Sequence, residues 1–145
     1  MYAEFDFYTN QYYGDTITED EWPKYGSRAS DYLDWMTRRQ MVDNLPTEEG
    51  ALAKISKACC AVADQLKRID EIRASESAAD NGIAVNGQVR SVSSGGESIS
   101  FEASAASKAV AGGEADVNRY LYEVAKPYLS GVADDRGHLY LYWGI

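Results

Sequence analysis

One stretch of this chain constrains its fold more than any other. From Thr47 to Arg73, Leu52, Ile55, Cys59, Val62, Leu66 and Ile69 recur at alternating steps of three and four. That is the spacing of an apolar stripe on one face of an α-helix. Thr47 is a suitable N-cap, Glu48 and Glu49 open the segment, and Lys67, Arg68 and Arg73 close it. Acids at the start and bases at the end match the helix macrodipole. Such a helix is about 40 Å long, too long and too apolar to be covered without several partners. Ala51, Ala58 and Ala61 lie off the main stripe, where a second helix could approach closely. The fold expected is therefore mainly α: a small helical bundle around one long central helix. With 145 residues the chain is sized for a single domain, 1–145.

Further elements flank this rod. Thr18-Glu-Asp-Glu21 has the pattern of a capping box, and Ile17 and Trp22 have the spacing of a hydrophobic staple. Trp22, Tyr25, Ala29, Tyr32, Leu33 and Met36 follow at helical steps. A helix is expected from Thr18 to Val42, bent at Pro23, where a backbone hydrogen bond is lost. Val117, Tyr120, Leu121, Val124, Tyr128 and Leu129 mark a last helix from about Asp116, with Gly131 placed to end it. Between the long and last helices the chain turns to Ser, Ala and Gly. There Val89–Ser93 and Glu97–Phe101 alternate on either side of Ser94-Gly95-Gly96. That pattern predicts a β-hairpin insertion whose few bulky residues, Val92, Ile99 and Phe101, need an outside surface to cover them. The hairpin and a mobile Ala/Ser/Gly connection are expected over about 82–113. The final Leu139-Tyr140-Leu141-Tyr142-Trp143 has strand propensity and predicts a short C-terminal strand or extended tail.

Composition excludes several functions. Acids outnumber bases 23 to 14, for a formal net charge of −9, the opposite of what a broad phosphate-binding face requires. No apolar run approaches the length of a membrane span. Met1-Tyr-Ala-Glu has neither the basic nor the apolar region of a signal peptide, so a cytoplasmic origin is expected. The two cysteines, Cys59 and Cys60, are adjacent within Ala-Cys-Cys-Ala-Val-Ala and read as small buried hydrophobes. His138 is the sole histidine, in a turn, and no cysteine, histidine or carboxylate spacing fits zinc or calcium. The glycine pairs lack a nucleotide-binding context. No enzyme activity, cofactor or metal is expected.

Eleven tyrosines and three tryptophans are the compositional oddity. Tyr2, Tyr8, Tyr12, Tyr13, Tyr140, Tyr142 and Trp143 fall outside the helical stripes. Part of this set suits a core, and the remainder suits protein–protein contact, where such side chains are enriched.

The order of these features resembles a known family. Tyr12-Tyr13-Gly14 precedes the capped helix with its Ala29-Ser-Asp-Tyr-Leu-Asp34 run. The long apolar helix, Val89-Arg-Ser-Val-Ser-Ser-Gly-Gly-Glu-Ser-Ile-Ser-Phe101, a short helix and a terminal Leu-Tyr segment follow. The chain resembles, over nearly its whole length, the head–tail connector (head-completion adaptor) proteins of tailed phages and prophages of Gram-positive bacteria. The hairpin is similar to that family's Val-Ser-x-Ser-x-Gly-x-x-Ser-Val-x-Tyr pattern, with Phe101 in the tyrosine place. The close differs: the family commonly ends Gly-Leu-Leu-Tyr-Arg-Gly, against Leu139-Tyr-Leu-Tyr-Trp-Gly144 here, and 132–138 reads as added turn sequence.

The resemblance implies a virion structural protein at the head–tail junction, made in the host cytoplasm. Its subunits form a ring beneath the portal and extend the channel through which DNA passes without specific binding. The partners implied are the portal protein, a tail or stopper protein, and other copies of the chain. The expected subunit and portal contacts are Val89, Val92, Gly95, Gly96, Ile99 and Phe101 in the hairpin. Leu139, Tyr140, Leu141, Tyr142 and Trp143 are expected to add a docking strand with no chain left to cover it, the alternative being that Gly131–Gly137 reverse the chain and fold the strand back onto the Asp116–Leu129 helix. A different class, a small acidic helical regulatory protein acting as monomer or dimer, shares the acidity and the apolar helices but leaves the hairpin unexplained.

Overall fold

The structure, a computed structural model, describes residues 1–80 and 105–141, and of residues 76–80 only the helical backbone. Six helices occur among the described residues: α1 (Phe5–Asn10), α2 (Trp22–Met36), α3 (Gln40–Asp43), α4 (Glu49–Asp80), a short α5 at 105–111, and α6 (Glu114–Leu129). Beside them is one isolated antiparallel bridge, Ala133 to Leu139. The expected mainly helical class holds. The hairpin with Val89, Val92, Gly95, Gly96, Ile99 and Phe101 lies outside the described residues, as do Tyr142 and Trp143. The chain forms two compact units: Met1–Leu66 with Leu121–Ile145, and Lys67–Tyr120.

In the first unit the capping box forms, but ahead of the helix it was expected to open. The Thr18 amide donates to Glu21 Oε1 at 3.0 Å, and the Glu21 amide donates to Thr18 Oγ1 at 3.3 Å. This closes a turn at 18–21, and regular α2 starts at Trp22. Pro23 then occupies the first helical turn, where its missing N–H would have had no partner in any case. It therefore helps start the helix instead of bending it. Trp22, Tyr25, Ala29, Leu33 and Met36 are buried, as their spacing predicts.

The expected Thr18–Val42 helix stops early, at Met36. Arg38 and Arg39 both adopt left-handed backbone, with φ of 55° and 64°. The Arg39 amide donates to Asp34 O at 2.7 Å and the Arg38 amide to Trp35 O at 3.1 Å. These are the paired bonds of a Schellman helix end, with Arg38 in the place that glycine usually fills. No glycine signals this end, which is why periodicity alone runs through it. The chain then restarts as the single turn α3 and buries Met41.

Helix α4 has 32 residues and a length of about 48 Å. It begins near the expected residue and runs past Arg73, through Ser/Ala sequence with no breaker. Residues 58–63 are each at most 5% exposed. Consecutive residues point in all directions around a helix, so this segment is surrounded rather than faced on one side. The alanines off the stripe, Ala58 and Ala61, are buried together with Cys59 and Val62. Thr47 does not act as the N-cap: its hydroxyl is engaged by Asp135, as described below.

The N-terminal aromatic segment, which shows no helical stripe, is core. Tyr8 on α1 is fully buried. Its hydroxyl donates to Asp64 Oδ1 on α4 at 2.7 Å and accepts from the amides of Thr16 and Ile17, both at 3.0 Å. Its ring stacks on Trp22 at 4.9 Å and on Tyr12 at 5.9 Å. The 13–17 loop closes over the ring, with the Gly14 amide on Tyr8 O at 2.8 Å. A Cβ on Gly14 would lie 2.2 Å from the Tyr8 ring, so no larger residue fits. Residues 2–3 are held between α2 and α4. The Tyr2 amide donates to Ser30 Oγ at 3.0 Å, Ser56 Oγ donates to Tyr2 O at 2.7 Å, and Trp22 Nε1 donates to Ala3 O at 3.1 Å. The Tyr2 hydroxyl donates to Asp34.

In the second unit, α4 contributes Ile69, α5 contributes Ala106 and Ala109, and α6 contributes Val117, all buried. The expected mobile connection is thus helical over 105–111. Its Ala-Ala-Ser-Lys-Ala-Val-Ala sequence has high intrinsic helix propensity, and Ala106 and Ala109 fall three apart on one face.

Two substitutions test these assignments. Tyr8→Phe keeps the ring but removes the hydroxyl that serves Asp64 and two amides. It is expected to cost about 1–3 kcal/mol in urea unfolding. Arg38→Gly relieves the left-handed strain, partly offset by glycine's greater freedom in the unfolded chain. It is expected to raise stability by about 0.5–1 kcal/mol; a loss would show that the Arg38 side chain itself secures the helix end.

Candidate functional site

The described part of the expected docking tail is a compact turn built on Asp134. Gly131, at φ 82°, ends α6, and the chain reverses over 132–140. The Asp134 amide donates to His138 O at 3.0 Å and the Tyr140 amide to Val132 O at 3.2 Å, with Gly137 at φ 85° between them. A three-residue loop closed by a left-handed glycine is a common hairpin connection. The Asp134 side chain fills the turn. Its Oδ1 accepts from the amides of Arg136 (2.9 Å) and His138 (3.0 Å), and its Oδ2 meets Arg136 Nη2 at 3.0 Å. Burial alone would raise this carboxyl. The His138 and Arg136 amides and the Arg136 guanidinium outweigh burial and hold it below the usual carboxylate range.

Two contacts tie the turn to the segment before α4. Asp135 grips Thr47 through both carboxylate oxygens, one on the amide and one on the hydroxyl, each at 2.9 Å. The Tyr140 hydroxyl donates to Asn44 O. Burial, followed by the nearby charges of Asp134 and Asp135, pushes the Tyr140 phenol up to about 12, so it stays a donor at ordinary pH.

This arrangement corrects the docking-strand expectation. Tyr140 is fully buried, Leu141 is 6% exposed and Leu139 is half-buried. The segment forms one bridge rather than a strand, and the chain's own turn and the 44–47 segment hold it. Tyr140 and Leu141 are therefore not a free docking surface. The periodicity of 139–141 is that of an amphipathic strand, but Asp134, Asp135 and Gly137 together supply the reversal that folds it back.

Other chemistry-bearing residues are accounted for locally. Cys59 and Cys60 are buried and unpaired, with Cys59 Sγ 3.6 Å from Ser30 Oγ and 3.7 Å from Gly26 O. Burial pushes the Cys59 thiol up to about 11 and raises Cys60 as well, so neither is a ready nucleophile. His138 is exposed, its Nδ1 3.9 Å from Asp134 Oδ2. No group of three or more metal-ligating side chains occurs among the described residues. Two shallow depressions flank the turn. One of about 370 Å³ is lined by Gln40, Gly137, His138 and Leu139, and one of about 250 Å³ by residues including Glu48, Lys54 and Asp134. Both are partly open to solvent.

Comparison with protein-family models, with curated proteins and with solved structures gives no match to this chain. The sequence marks 132–138 as turn sequence but does not assign the roles of Asp134 and Asp135. The available signal was Asp-Asp-Arg-Gly ahead of an apolar pair, a turn with an acceptor at its first position.

The Asp134 turn has a definite pH signature. Because the folded carboxyl is depressed, its stabilising effect is fully present above the ordinary aspartate pKa of about 4 and is lost as pH falls through the lower folded value. Asp134→Asn should be less stable than the parent near neutral pH, and the gap should narrow in acid. A gap that does not change with pH in urea titrations would show that the charge contributes nothing.

Proposed function

We propose that this chain is a head–tail adaptor: a helical virion subunit that assembles as a ring between portal and tail and extends the DNA channel. The observation that carries the reading is the order of elements. An aromatic-rich helix behind the Thr18–Glu21 turn (α2), a long helix buried all round in its middle (α4), a later helix (α6) and a Leu-Tyr close stand in the order that the sequence resemblance to connector proteins implies. An acidic chain supports it too, since a channel wall of net charge −9 per copy does not hold DNA in transit.

On this reading the portal and a tail or stopper protein are the partners, and the segment from Val89 to Phe101 carries contacts on the strength of its sequence pattern. Deleting the gene from the phage or prophage that encodes it, followed by induction and electron microscopy, tests the proposal. DNA-filled heads without tails, rescued by the gene in trans, are the expected result. Normal infectious particles would refute it.

A further inference from the structure

We infer that the segment 142–145 folds back over α3 as an intramolecular clasp, seating the Trp143 indole in the depression beside Gln40. Two observations on described residues converge there. The first is an unmet polar group. Gln40 Oε1 is buried with no hydrogen-bond partner. Buried polar atoms seldom stay in that state, because losing water without gaining a donor is costly. Gln40 lines the depression of about 370 Å³ together with Gly137, His138 and Leu139. The occupant that suits it is a flat apolar group carrying one N–H, its body covered by Leu139 and its donor serving Gln40.

The second is where the described chain leads. Tyr140 is fully buried with its hydroxyl on Asn44 O, and Leu141 after it is 6% exposed. Asn44 closes α3 and Gln40 opens it, so the two lie one helical turn, about 6 Å, apart. Leu141 therefore follows a residue fastened to the end of α3, and the sequence continues Tyr142-Trp143-Gly144-Ile145. Two residues of extended chain span about 7 Å, enough to carry residue 143 across this short helix. In extended backbone 139, 141 and 143 share one face. The register that sets Leu139 at the depression thus turns Trp143 the same way, and Tyr142 falls on the face of Tyr140. The indole N–H donates and accepts nothing, which matches an acceptor without a donor. The clasp holds a side chain that the sequence offers for docking, so a partner gains Trp143 only by displacing it. The inference does not rest on the adaptor reading, which has its own test in tailless heads.

Iodide quenching of tryptophan fluorescence tests it on the full chain. Trp35 is 57% exposed and Trp22 is 3% exposed, so Trp35→Phe leaves one shielded indole and Trp143. The difference from Trp35→Phe/Trp143→Phe then reports Trp143 alone. Its emission should be shielded from iodide and should stay so on serial dilution, as an intramolecular contact requires. Adding Gln40→Ala removes the acceptor, and the quenched fraction of the Trp143 emission should rise about fivefold or more, the effect of one lost hydrogen bond. Circular dichroism and melting temperature serve as the folding control. If Gln40→Ala does not fold, the Trp35→Phe pair decides by itself whether Trp143 is shielded. A Trp143 quenched like a free indole overturns the inference. So does shielding that disappears on dilution, which would mean that a second copy covers it, or shielding that a folded Gln40→Ala leaves unchanged, which would seat the indole elsewhere.

Discussion

The hydroxyl of Tyr8 uses its whole hydrogen-bonding capacity at once. It donates to Asp64 on α4 and accepts from the amides of Thr16 and Ile17, while its ring stacks on Trp22 of α2. Four parts of the first unit (α1, the 13–17 loop, α2 and α4) therefore meet on one side chain. Burying a phenol is costly unless its polar end is satisfied. Here the amides and carboxylate that satisfy it are the ones that set the position of each neighbour. Burial, and then the bond to Asp64, push the Tyr8 phenol up to about 12, which keeps the donor proton in place across the physiological range.

Around that point the middle of α4, residues 58–63, is enclosed by its own chain. Residues 58–63 are small or of moderate size, and surrounding elements cover them on every side. Residues 2–3 illustrate the consequence: their backbone is close enough to both α2 and α4 to take hydrogen bonds from or give them to Ser30, Trp22 and Ser56. The paired cysteines belong to the same logic. They are compact apolar fillers at the most crowded part of the helix, and their raised thiol pKa values follow from that burial.

The described depressions are shallow, the single histidine is exposed in a turn, and the buried thiols are protonated. Asp15, Glu19, Asp20 and Tyr13 are exposed before α2, and Arg38, Arg39 and Trp35 at its far end.

By itself the sequence determined the helical class, the apolar stripe along the long helix, the capping box at Thr18 and Glu21, the helix stop at Gly131 and the burial of Cys59 and Cys60. All of these are local or periodic properties, set by residue type and spacing. Only the tertiary structure decided that α2 ends at Met36 in a Schellman turn carrying arginine, because the favoured residue for that turn is absent. It alone showed that Thr47 serves Asp135, 88 residues away, instead of capping α4. It also decided that Tyr8 is a core residue and that Tyr140 folds inward, since neither sits in a pattern that names its partner. A hydrogen bond between residues far apart in sequence leaves no period to read; it exists only once the helices between them have set the two ends side by side.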